Sequence, residues 1–240
     1  MDVNKKMKIS EPLVELPIVA FFLAISAGAM DGYAYFTTKT FATFQSGNII
    51  LSGFTIATDD FTKLYPTLLS IVSFALGSMC LAFLRDTLVS KNKIWTFTVI
   101  LIEVFILSFL ATNSFHNIFS PLHIAFVLAF VAGFQGNAFH FIDKMLYGNI
   151  AVTLNVQLLA SFFAEAMMKI NSDKRKVLFK KGFDYFVILL GFALGAFITA
   201  IAAKHFQSLS LSIPILCLLG IFIVGYRFHK QNKNISIDAD

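Results

Sequence analysis

Apolar runs separated by short stretches that carry charge or proline recur along the whole chain. Eight can be marked off, at 16–36, 44–57, 64–84, 95–112, 121–142, 149–168, 183–203 and 209–227. A membrane-spanning helix needs about 20 consecutive, mostly apolar residues, so most of these runs predict spanning helices. The second differs, because its 14 residues include Gln45, Ser46, Gly47, Asn48, Ser52 and Gly53. A segment so short and polar predicts a re-entrant or broken helix. Pro17, Pro66, Pro121 and Pro214 fall near the starts of runs, where a missing N–H costs little and φ is already helical.

Composition turns this pattern into a fold class. Apolar residues make up 57% of the chain and charged residues 14%, whereas a soluble domain carries roughly a quarter of charged residues. That excludes a soluble enzyme with a single anchor. Disorder is excluded too, because 29 Phe residues would be left unburied. The net charge of +5 calls for no nucleic-acid partner, since the basic residues sit in short gaps between apolar runs, where membrane proteins place them for orientation. Cys80 and Cys217 lie inside runs with no CxxC spacing and read as packing residues. Lys5, Lys6 and Lys8 ahead of an apolar run ending in Ala27-Gly28-Ala29 imitate a signal peptide. Glu11, Glu15 and the continuation of the run to Phe36 favour a retained first helix instead.

An internal repeat organises the runs. Phe74-Ala75-Leu76-Gly77 recurs as Phe192-Ala193-Leu194-Gly195, offset by 118 residues. Two further pairings keep the same order: 27–32 with 132–137, and 45–50 with 154–159. If segments two and six do not cross, 16 of the 19 Lys and Arg residues fall on one side; if all eight cross, 13 do. The positive-inside rule therefore prefers six crossings, and an odd number per half makes the halves inverted. The expectation is an all-α polytopic integral membrane protein of about six transmembrane helices. These form two inverted three-helix repeats, about 16–112 and 121–227, with short re-entrant or broken segments and a polar tail at 228–240. Both termini are expected in the cytoplasm, and 171–181 is expected as a cytoplasmic loop.

Polar residues recur in both halves at the end of the first helix and in the short segment after it. In the first half these are Asp31, Gln45, Ser46 and Asn48, with Gly47; in the second they are Gln135, Asn137, His140, Asn155 and Gln157. Amides there can satisfy the free ends of half-helices or share a ligand. On offset alone Asn48 pairs with Gln157. A carboxylate at membrane depth needs pairing or water, which makes Asp31 a candidate cation or proton site, with an interfacial cap as the alternative. Glu103, mid-run, is a candidate for proton or ion coupling. Glu165 and Lys169, one turn apart, read as a local pair, and His140 with Asp143 as a weaker one. The five histidines have no HxxxH or HExxH spacing, so no metal and no cofactor is expected. Ser73 with Gly77, and Gly191 with Gly195, are small-xxx-small faces for close helix packing.

The first-half Gly28 to Asp31 followed by Gln45-Ser46-Gly47-Asn48, and the second-half Gly133-Phe134-Gln135-Gly136-Asn137 followed by 148–153, resemble the YoaK family of bacterial inner-membrane proteins. The resemblance covers about 16–227. The family pattern has Thr-Gly-Asn where this chain has Ser46-Gly47-Asn48, and Gly136 separates Gln135 from Asn137. The resemblance implies a multi-spanning protein of about six helices in the plasma membrane and implies no activity. Taken together, the expectation is a transporter or permease of a small solute or ion, embedded in the bilayer. A homo-oligomer is compatible with it. The alternative is a non-transporting assembly or sensor subunit. A membrane-embedded lipid enzyme is disfavoured, because Ser46 has no His in its segment and GxSxG is absent.

Overall fold

The computed structural model describes residues 16–90, 95–139, 141–142, 145–146, 150 and 152–231. Their helices are α1 (Pro17–Thr38), α2 (Gln45–Ala57), α3 (Leu64–Ser90), α4 (Trp95–Ala111), the single turn α5 (Asn113–His116), α6 (Pro121–Ala138), α7 (Val152–Met168), α8 (Ser172–Phe206) and α9 (Ser212–Gln231). A 3-10 turn, Gln207–Leu211, joins the last two, and the only strand structure among these residues is a two-residue antiparallel pairing of Phe141–Ile142 with Met145–Leu146. Pro17 and Pro121 occupy first helical positions, as their fixed φ suits. Ser120 accepts from the His123 N–H at the start of α6. α1 ends at Lys39, which takes a left-handed conformation (φ 59°) and donates its N–H to the Tyr35 carbonyl.

Among the described residues five stretches are long and apolar enough to cross a membrane: Pro17–Thr38, Leu64–Leu88, Trp95–His116, Pro121–Ala138 and Ser172–Arg227, the last taking in α8 and most of α9. Their burial is uneven, 72% for the first and 22% for the second. α1 is thus the interior helix. Much of the outer surface is aromatic, with Phe83, Phe105 and Phe197 well exposed, as suits helices solvated by lipid. Cys80 lies on that outer surface and not in the packed interior expected for it; Cys217 is half-buried.

Residues 172–181, expected as part of a loop, are helical. Asn171 accepts from the N–H groups of Asp173 and Lys174, capping a 35-residue helix whose first turns carry Lys174, Arg175, Lys176, Lys180 and Lys181. Lys and Arg are good helix formers, so a basic stretch behind a strong cap extends the helix instead of breaking it. At 1.5 Å per residue α8 is roughly 52 Å long, against about 30 Å of hydrocarbon.

Two close crossings hold the bundle together. Gly28 on α1 abuts the Phe192 carbonyl of α8, Gly32 abuts Ala196, and Gly195 abuts the Ile25 carbonyl; a Cβ at any of them would collide with backbone. Gly133 on α6 abuts the Phe74 carbonyl of α3, and Gly77 abuts the Phe130 carbonyl. At this second crossing the Ser78 hydroxyl also donates to the Gly133 carbonyl (2.9 Å), and Asn137 Nδ2 donates to the Ser78 carbonyl (2.9 Å). Contacts advance in the same direction along both helices, 28 to 32 with 192 to 196 and 74 to 78 with 133 to 137, so each pair runs parallel. By contrast α4 and α9 run antiparallel: Phe97 packs on Phe222, while at the far end Ser208, just ahead of α9, approaches the Ala111 carbonyl.

Candidate functional site

Chain geometry after α1 makes the site. Past Lys39 the backbone folds back along α1, and residues 39–44 lie in irregular conformation before α2 begins. Such a segment has backbone groups with no helical partner, and each must be satisfied from elsewhere. Asp31, two turns before the end of α1, accepts from both Thr43 donors: the N–H to Oδ1 at 2.7 Å and the hydroxyl to Oδ2 at 2.6 Å. Asn48 grips Phe41 at both ends of its peptide groups, accepting from its N–H (2.9 Å) and donating to its carbonyl (2.7 Å). The Ser70 hydroxyl of α3 donates to the same carbonyl (2.7 Å), and Gln45 donates to the Ala42 carbonyl (2.7 Å). Gly47 sits beneath the Phe41 and Phe44 rings, where a Cβ would overlap them. Ser46 is exposed and stands outside this network.

Beside the folded-back segment is a cavity of about 520 Å³. Its walls are Asp31 of α1, Phe41 and Phe44 of the irregular segment, Phe192 of α8, and one face of the first turns of α7, namely Val152, Thr153, Val156 and Gln157. Asp31 is 6% exposed, so its carboxylate forms part of the wall without projecting from it. Among the described residues no Lys, Arg or His lies within ion-pair distance of Asp31. Lys39, the cation nearest in sequence, is folded over the Tyr35 ring at 5.4 Å and donates to the Phe36 carbonyl.

The remaining polar candidates fall elsewhere. Gln135 is fully buried between α6 and α1, where it accepts from the Ser26 hydroxyl (3.3 Å) and donates to the Leu23 carbonyl (3.2 Å). Asn137 belongs to the α3–α6 crossing. Asn155 is buried on α7, at the fourth residue of that helix, just as Asn48 is at the fourth residue of α2. Counted from the helix starts, Asn48 therefore corresponds to Asn155, and the pairing with Gln157 suggested by the 109-residue offset is two residues out. Glu103 is wholly buried on α4, and neither carboxyl oxygen has a hydrogen-bond partner among the described residues. Glu165 and Lys169 line a common shallow cleft with Asp173 and Lys174, yet they do not approach to ion-pair distance, because both side chains are exposed and solvated separately. The expected His140–Asp143 pair lies outside the described residues. No cluster of three or more potential metal ligands occurs among the described residues.

Sequence reasoning brought Asp31 and Gln157 to one place and missed what completes the wall. Thr43 and the rings of Phe41, Phe44 and Phe192 carried no motif. The only signal for Thr43 was its place in the polar stretch between the first two apolar runs.

Residues 19–224 match the family described as Protein of unknown function (DUF1275). This chain belongs to the DUF1275 family. It is also 27% identical over 210 residues to the UPF0700 transmembrane protein YoaK of Bacillus subtilis (strain 168), a similarity that covers 85% of this chain and 91% of that one. No solved structure matches the chain. With its apolar helices, the DUF1275 chain is a multi-pass membrane protein. The family match spans both halves, so the folded-back segment, the cavity and both glycine crossings all lie within it.

Proposed function

We propose that the protein is a non-enzymatic transporter of a small solute, working by alternating access between two inverted repeats, about 16–112 and 121–227, in the bacterial plasma membrane. The observation that carries this reading is the cavity itself, which joins the broken end of α1 in one half to the start of the short helix α7 in the other. Sites at the junction of repeats, beside discontinuous helices, are the arrangement of secondary transporters.

Inversion is supported by the direction of helix pairs. With α2 and α7 as non-crossing segments, α1 and α8 are the first and fifth crossings and run parallel. α3 and α6 are the second and fourth and also run parallel. α4 and α9 are the third and sixth and run antiparallel, in agreement with the Phe97–Phe222 and Ala111–Ser208 contacts. Eight crossings would make α4 and α9 parallel. The crossed glycine contacts add to this, since Gly28 meets Phe192 while its repeat counterpart Gly133 meets Phe74, the counterpart of Phe192. In this reading Asp31 and Gln157 face the solute. Gln45, Asn48, Gln135 and Asn137 hold the broken segments and crossings in position, and Glu103 is the coupling group.

Two measurements test the proposal, both with single cysteines in a Cys80→Ser, Cys217→Ser background and a membrane-impermeant thiol reagent. Ser90→Cys and Ile170→Cys are expected on the same side of the membrane, whichever way the whole protein faces; opposite sides would mean eight crossings and parallel halves. Val156→Cys, in the cavity wall, is expected to react from either face when right-side-out and inside-out vesicles are compared. Reaction from one face alone would overturn alternating access and favour an assembly or sensor subunit.

A further inference from the structure

We infer that the cavity takes a monovalent organic cation with a bulky apolar body. This rests on the proposed transport site but concerns what the cavity binds, whether or not the protein moves it. Three features of the wall point one way. First, Asp31 is the single charged residue among the described residues that line it. Both Thr43 donors face the carboxylate, one per oxygen, an arrangement that suits an ionised, acceptor-only group. Each carboxylate oxygen can accept more than one hydrogen bond, so the Thr43 bonds do not by themselves exhaust the acceptor capacity of Asp31. They also contribute dipoles and no charge, so a net negative charge remains in the wall, and with no cation among the described residues that line the cavity the complementary partner is a positive ligand.

Second, the rest of the wall is suited to a soft cation and not to a hydrated metal ion. Phe41, Phe44 and Phe192 supply aromatic surface, whose faces attract cations. Oxygen ligands are too few for a bare metal, which would want six or more of them in the case of calcium or magnesium. Third, the cavity's volume of about 520 Å³ falls in the range of about 300–1,000 Å³ usual for organic ligands. An ammonium or phosphonium centre near Asp31 with an apolar body against the phenyl rings and Val156 would satisfy all three. A small anion would meet only the charge it must avoid.

The test uses the purified full-length protein in detergent and two probes of the same shape and opposite charge, tetraphenylphosphonium and tetraphenylborate. Saturable binding of the labelled phosphonium is expected, at least tenfold tighter than any saturable binding of the borate. Asp31→Asn, which keeps an acceptor for Thr43, is expected to weaken it at least tenfold. Val156→Trp fills the cavity without touching the Asp31–Thr43 bonds, and it is expected to abolish binding in protein that still elutes as wild type on size exclusion. Equal binding of the borate, binding that survives Val156→Trp, or no saturable phosphonium binding at all would each overturn the inference. None of these depends on transport: one-sided labelling of Val156→Cys would remove the transport reading and leave cation binding standing, and the reverse result would leave transport of some other solute.

Discussion

Asp31 and Glu103 are both carboxylates buried in apolar helices, and they are treated in opposite ways. Asp31 lies where the chain breaks, beside a segment whose backbone N–H groups have no helical partner, and it accepts two short hydrogen bonds from Thr43. Glu103 lies in the middle of an unbroken helix, whose backbone is fully used internally, and it has no partner among the described residues. Broken helices thus provide donors for a charge at depth, whereas intact ones do not. An ionised carboxylate without donors or counter-charge would cost far more than folding can supply. The chain therefore tolerates Glu103 only as a neutral acid, or as an acid that gains a partner in another conformation.

The strongest way to break this comparison is to remove the acid that has partners. Asp31→Ala would strand both Thr43 donors, and with charge-assisted bonds worth roughly 1.5–3 kcal/mol each, a loss of about 3 kcal/mol is expected. A lowered Tm in detergent checks it, while an unchanged Tm would mean that water replaces Asp31 freely. Asn48→Ala should cost somewhat less, about 2 kcal/mol, because the bonds lost are to neutral groups: the Phe41 N–H loses its acceptor and Gln45 Oε1 a donor, while the Ser70 hydroxyl still reaches the Phe41 carbonyl. Glu103→Leu should do the reverse. Replacing a buried, unpartnered polar group with an apolar one of similar size is neutral or stabilising, so Tm is expected to rise by the equivalent of about 1 kcal/mol. A fall in Tm would show that Glu103 has a partner, such as a buried water. A rise in Tm together with lost transport would mark Glu103 as a residue kept for function at the expense of stability.

The architecture was largely readable in the sequence, and the reasons are physical. Lipid demands long apolar runs, and these give the helix positions directly; the prolines mark their starts. The small-xxx-small pairs Ser73 with Gly77 and Gly191 with Gly195 also pointed to close packing, and Gly77 and Gly195 each take part in a glycine crossing. The site was readable only in outline. Hydropathy flags a polar residue at depth but not whether its hydrogen bonds go to a ligand or to the backbone. Asn48 and Asp31 were therefore both candidates for one binding site, although Asn48 is used in bonds to Phe41, Gln45 and Ser70 while Asp31 borders a cavity. The basic stretch at 171–181 misled for a related reason. Charge signals the end of a membrane crossing, and α8 leaves the apolar region without ceasing to be a helix.

Asp60 provides the water-exposed reference that sharpens the comparison. It lies in the connection between α2 and α3, partly exposed to solvent, where Lys63 donates to Oδ2 at 2.8 Å and the Thr62 hydroxyl donates to Oδ1 at 2.5 Å. These partners, with Lys63 the larger cause, hold its carboxyl below the ordinary aspartate value. Because the folded form releases its proton more readily than the unfolded chain, folding gains from Asp60 above the unfolded pKa of about 4. That gain disappears as pH falls through the lowered folded value. Asp60→Asn should therefore lower Tm slightly and by a constant amount above about pH 5, with the difference from wild type vanishing in stronger acid. Exposure and salt screening keep this the smallest effect of the series, and added salt should shrink it further. A difference that grew as pH fell would reverse the sign of the argument, leaving Asp60 as a group stabilised in its protonated form. The same substitution made at Asp31 should be insensitive to salt, because no ion atmosphere penetrates to a carboxylate that is 6% exposed.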